Sequence, residues 1–212
     1  MSQPQSPPAD TRQRILHAAE QLFRSRGPGS TSLRSITAAA GVNVAAVHYH
    51  FGGREALARE VFARTVAPVN EERLRRLDAL EAAPDGPGVE AIVRALIEPV
   101  FAEARRDPSL RELSGVLLTE PEASGRALVE ELFGEVMRRF HAALARALPT
   151  LGPDEIADRI VFSIGSFAQV LAGRHPARPD GTRVAPDPLS CDRLIAFLTA
   201  GLTAPPARAE RP

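Results

Sequence analysis

The chain has 212 residues, 44% hydrophobic, 25% charged and 5% aromatic with no Trp. That is enough for one large domain, or for a small one joined to a larger one, and it is poor material for a carbohydrate or aromatic-cage binder. A single cysteine, Cys191, excludes an intramolecular disulfide framework and a multi-cysteine zinc site, and fits a reducing cytoplasm. The net charge of zero hides an asymmetry: residues 1–54 carry six arginines against Asp10 and Glu20, while 55–212 carry twenty against twenty-four acids. The first fifteen residues hold no apolar signal core and no run of eighteen apolar residues occurs, so neither export nor membrane insertion is expected.

In chain order, residues 1–9 are rich in Pro, Ser and Gln and are expected to be a disordered tail. A helix is predicted over about 11–26: Asp10 and Gln13 resemble a capping box, Ile15, Ala18, Ala19, Leu22 and Phe23 share a face, and Gly27 ends the run. Ser32 can cap a second, short helix with Leu33, Ile36, Ala39 and Ala40 inward, and Gly41 stands where a left-handed residue is needed. Asn43 is then an N-cap again, so GVN reads as the turn of a helix-turn-helix and VAAVHYHF as its second helix.

At about 100° per residue, Val44, Val47 and Phe51 fall on the inward face of that helix, and Ala45, Ala46 and Tyr49 point outward between His48 and His50. Two alanines let a backbone approach a groove floor, and the tyrosine and histidines can bond to phosphates or base edges. The alternative is a plain amphipathic packing helix. His48 and His50 lie about 200° apart on a helix, a poor arrangement for one metal ion, and no metal or cofactor is expected.

Taken together, TRQRILHAAEQLFRSRG, TSLRSITAAAGVNVAAVHYHF and GGREAL resemble the DNA-binding domain of the TetR/AcrR family of transcriptional regulators, over about the first sixty residues. AGVNVAAVHYHFGGREAL is most similar to the PsrA/CecR-like branch. The resemblance implies that the third helix enters the major groove and that Thr31, Ser32, Tyr49 and Arg54 meet phosphates, Arg54 replacing a lysine. It places Ala46 and His48 toward the groove and His50 on its rim, with Arg34, Asn43 and Ala45 beside them as further DNA-binding candidates. His48 stands where tyrosine is commonest, and Gly53 replaces a serine cap.

The remainder also reads as helical. Residues 54–82 keep helical spacing with a kink or break expected at Pro68, PDGPG is a loop, and helices are predicted over about 89–106, 109–119, 122–148, 153–174 and 188–203, so the fold is all-α with about nine helices. The expected organisation is a helix-turn-helix domain over 10–53, an effector-binding and dimerisation domain over 54–203, and a flexible tail over 204–212. By resemblance a ligand sits among the middle helices, for which Phe101, Leu117, Phe133, Met137, Phe140 and His141 are the candidates. The last two helices are apolar on more than one face, which calls for a partner subunit, and by resemblance they form a four-helix bundle across a two-fold axis. Ile160, Ile164, Phe167, Leu171, Leu194, Phe197 and Leu198 are the candidate dimer contacts.

No nucleophile elbow, phosphate loop or HExxH motif is present, which weighs against an enzyme built on Cys191, Ser163 or Ser166 with His141 or His175. A constitutive architectural DNA binder would be basic throughout, and this chain is basic only at one end. The reading is a cytoplasmic, ligand-responsive regulator, most simply a repressor, that binds a palindromic DNA operator as a homodimer. An effector among long apolar side chains should be apolar with at most one polar end, and the branch resemblance points to a fatty acid or acyl derivative.

Overall fold

The computed structural model describes residues 8–107, 110–111, 113, 123–171 and 188–206. Among these, all regular secondary structure is helical: α1 (Pro8–Arg26), α2 (Leu33–Ala40), α3 (Val44–Phe51), α4 (Arg54–Glu81), α5 (Val89–Arg106), α6 (Ala123–Ala147), α7 (Pro153–Leu171) and α8 (Pro188–Thr203). Leu110, Arg111 and Leu113 are helical too, where the 109–119 helix was expected, but most of that stretch lies outside the described residues. No described helix is long and apolar enough to cross a membrane.

The chain divides into two compact units, one of residues 1–67 with 112–132 and the other of 68–111 with 133–212. In the first unit, α1 starts two residues ahead of the expected Asp10 cap. Pro8 is tolerated in a first turn because its missing N–H would have no helical acceptor there, and Asp10 sits inside that turn, favourably placed toward the positive end of the helix dipole. Ile15, Ala19 and Phe23 are fully enclosed, and Phe23 stacks on Phe62 of α4 with ring centroids 5.9 Å apart. The two short helices are closed at both ends. Ser32 Oγ accepts from the Ser35 amide at 3.1 Å, and Asn43 Oδ1 from the Ala46 amide at 2.9 Å. Gly41 (φ 64°) and Gly52 (φ 83°) take the left-handed conformation that ends each helix at little steric cost.

Residue 68 does not break α4 as expected: the helix passes through Pro68, and the division between the units falls there. A proline removes one rung of the ladder, which a 28-residue helix anchored by Leu57, Val61 and Phe62 before it and by Val69 and Leu77 after it survives.

In the second unit, α5 packs along α8, and α7 also packs on α8. Ile92, Ile97, Leu110, Phe140 and Ile195 are among its enclosed side chains. The end of α8 is held by α7. Arg159 Nη1 donates to the carbonyls of Leu202 and Ala204, both at 2.7 Å, and of Gly201 at 3.2 Å, while Nη2 reaches Pro205 O at 2.9 Å and Glu155 at 2.6 Å. The last carbonyls of a helix lack internal partners, so a guanidinium fork is suited to cap them. Arg159→Ala is expected to cost about 2 kcal/mol, the scale of hydrogen bonds to a charged group, and to lower Tm by about 4–8 °C. A thermal melt followed by circular dichroism checks this; an unchanged Tm would show that the cap contributes nothing.

Candidate DNA-binding face and effector core

Helix α3 keeps its outward face free because other groups hold it in place. Val47 is fully buried, Phe51 lies under the Arg12 guanidinium at 5.1 Å from the ring centroid, and Arg12 in turn pairs with Glu60. Ala45 and His48 are exposed, Ala46 and His50 half-buried, and Tyr49 is 82% exposed with its ring edge-on to His50 at 5.0 Å. The result is a small-residue floor with hydrogen-bonding rings beside it. Val44, expected inward, is exposed because the first turn of the helix extends past the surface it packs on. On α2, Ser32 and Arg34 are exposed, and exposed Asn43 spends its side-chain oxygen on the α3 cap.

Two residues expected at phosphates, Thr31 and Arg54, are bonded here to the chain's own backbone. Thr31 is only 1% exposed, and its hydroxyl donates to Gly27 O at 2.7 Å. Arg54 directs Nε to Thr31 O at 3.0 Å and Nη2 to Pro28 O and Gly29 O. Loop carbonyls between α1 and α2 have no ladder partner, and arginine presents five donors in a rigid fork where lysine offers a point charge. Arg54 thus fastens the start of α4 to the entrance of α2.

Within the second unit, Phe101 and Phe140 are buried, while Phe133, Met137 and His141 are half-buried; Leu117 lies outside the described residues. Phe101 meets Phe167 with centroids 6.4 Å apart, so a candidate ligand residue and a candidate dimer residue share one core. Phe167, Leu171, Leu194 and Leu198 are all buried by the chain itself, Ile160 and Ile164 are half-buried, and only Phe197 of that set is exposed, at 65%. Val161 at 62% and Phe162 at 68% join it as the exposed large apolar side chains of α7 and α8. Periodicity showed that these helices are apolar all round, but it could not say which side faces the chain's own core.

Arg73, absent from the candidates, is 3% exposed. Its Nε donates to Leu96 O at 2.8 Å and Nη1 to Asn70 Oδ1 at 3.0 Å, and burial pushes the guanidinium down to about 10. Val66, Val69, Arg73 and Leu77 keep the spacing of one buried stripe, a signal that was legible in the sequence. Cys191 is buried and its thiol is pushed up to about 11, first by burial and then by Glu98 and Asp192, the opposite of a thiolate nucleophile.

Two family models cover most of the chain: bacterial regulatory proteins of the tetR family over residues 15–61, and the tetracyclin repressor-like C-terminal domain over 94–201. The HTH-type transcriptional regulator SrpR of Pseudomonas putida is 28% identical over 169 residues, 77% of this chain and 73% of that protein. AcrR of Shigella flexneri is 33% identical over 97 residues, 46% of this chain, and the match spans about half of the relative (45%). Among solved structures, the transcriptional regulator FadR from Bacillus subtilis in complex with stearoyl-CoA shares the fold at a TM-score of 0.62 and 14% identity, covering 89% of this chain and 98% of that one. A helix-turn-helix with both short helices capped, followed by a helical domain that the second model matches over half the chain, leads to one assignment: the chain belongs to the TetR family of bacterial regulatory proteins.

Proposed function

We propose that this protein is a ligand-responsive transcriptional repressor that acts in the cytoplasm, binding a palindromic operator as a homodimer and leaving it when an apolar effector enters the second unit. The observation that carries the DNA-binding part is the outward face of α3, where Tyr49, His48 and Ala45 are exposed on a helix whose caps and buried Val47 fix its position. A regulator named FadR with stearoyl-CoA bound shares the fold, and this supports an acyl effector here. Because α4 is one helix running from Arg54 to Glu81, a displacement of its second half would reach the Arg54 bonds to the α1–α2 loop. Two recognition helices must match major grooves about 34 Å apart, so a small change of separation releases the operator. The test is a mobility-shift assay with the DNA upstream of the gene, with and without long-chain acyl compounds and apolar drugs. An absent specific shift would refute the regulator, and a shift that no apolar compound relieves would refute the effector class.

Arginines 34 and 54 should separate in this assay. Arg34→Ala is expected to weaken binding to all sequences and reduce the slope of log affinity against log salt by about one, since one fewer counterion is released. Arg54→Ala should lower Tm and weaken specific binding with the slope unchanged. An equal loss of slope in both variants would return Arg54 to the phosphate contacts.

For the dimer, exposed Phe197 and Phe162 are proposed to meet a second copy. Phe197→Glu, at a position the chain itself leaves open, should give a folded monomer in light scattering; a dimer of unchanged stability would exclude this face.

A further inference from the structure

Several arginines of the second unit are placed like ordinary surface cations. Arg76 and Arg94 share Glu98, Arg75 and Arg76 share Glu72, Arg139 and Arg146 share Glu81, and Arg94 also reaches Glu90 and Asp192. Arg73 is more enclosed than any of these and has no carboxylate partner among the described residues; its bonds go to the neutral oxygens of Leu96 and Asn70. Asn70 lies one turn away on the same buried face of α4, so the two form a polar island between Val69 and Leu77. A buried cation left to neutral acceptors is costly, and it is retained where something anionic offsets it.

A purely structural duty for Arg73 is poorly matched by the geometry. The carbonyl that Pro99 leaves without its helical donor is that of Ala95, four residues back, whereas Arg73 bonds to Leu96. A neutral side chain would serve Leu96 O equally well without burying a charge. Nη2 makes no hydrogen bond to a described residue, so the guanidinium retains donor capacity beyond its bonds to Leu96 and Asn70.

We propose that Arg73, steadied by Asn70 and the Leu96 carbonyl, is the binding residue for an oxyanion at the polar end of an otherwise apolar effector. This rests on the reading of the second unit as the effector domain and specifies the effector as an amphipathic anion. Its apolar chain would lie against the phenylalanine-rich side of the same unit, and its head would supply the negative charge that no described residue offers Arg73. The oxyanion is a carboxylate in a free fatty acid and a phosphate in an acyl thioester of coenzyme A.

The experiment uses the full chain with palmitate, hexadecan-1-ol and palmitoyl-CoA, reading ligand affinity by calorimetry and operator release by mobility shift. The unaltered protein should bind one of the two anions at least about tenfold more tightly than the alcohol, the scale of a charge-assisted hydrogen bond. Arg73→Met should remove that preference while the alcohol binds as before and ligand-free operator affinity is unchanged; Arg73→Lys should restore part of it. Loss confined to palmitate assigns a carboxylate, and loss confined to palmitoyl-CoA a phosphate. If the unaltered protein binds neither anion more tightly than the alcohol, or Arg73→Met keeps the preference, the proposal is overturned while an apolar effector stands. If none of the three compounds binds, both readings fall. Should Arg73→Met not fold, absence of any preference for either anion over the alcohol in the unaltered protein still overturns the proposal, and an unchanged preference in Arg73→Lys does so too.

Discussion

An eight-residue helix does not hold itself together in water, and the helix-turn-helix of this protein is built from two of them. Each therefore borrows its stability. Ser32 and Asn43 satisfy amides at the starts, glycines in left-handed geometry close the ends, and α1 supplies the apolar wall against which Ile36 and Val47 are buried. Phe23 stacked on Phe62 ties that wall to α4, and Arg54 ties α4 to the loop ahead of α2. With so much of the support delivered through caps and inward residues, the outward positions of α3 carry no structural duty, and their side chains are free to suit a groove.

The same economy explains how arginine is used. Around α4 and α5 the guanidinium groups take up the carboxylates at the surface; Arg75, then Arg76, hold the Glu72 carboxyl down to about 2. Arg159 closes a helix and Arg54 a loop, each through several backbone carbonyls. In both places the planar fork, which can serve several acceptors at fixed angles, explains why the residue is arginine.

Much of this was legible from the chain alone, and the failures have physical causes. Val89–Arg106 and Pro188–Thr203 could be read to the residue because Gly or Pro marks their starts and the apolar spacing runs unbroken to their ends. The caps of α2 and α3 were legible because capping is a local interaction between residues three apart. Asp10 misled because a proline two residues earlier is an equally good first-turn residue, and Pro68 because tertiary burial on both sides outweighs one lost bond. The bonds of Arg54 to Thr31 and of Arg73 to Leu96 join residues 23 apart in sequence, which periodicity does not encode. The outward turn of Phe162 and Phe197 belongs to the same class: a helix apolar all round has no sequence mark for its inner side.

Every one of the 26 basic side chains in the sequence is an arginine. The ion pairs around α4, the helix cap at Arg159 and the positive end that faces DNA are therefore all made of guanidinium, which stays charged at any pH a cell sustains. Acyl transfer to ε-amines, a common way for metabolism to mute a protein's positive charge, finds no substrate among these side chains. A regulator proposed to sense acyl compounds thus keeps its positive charge beyond the reach of lysine acylation.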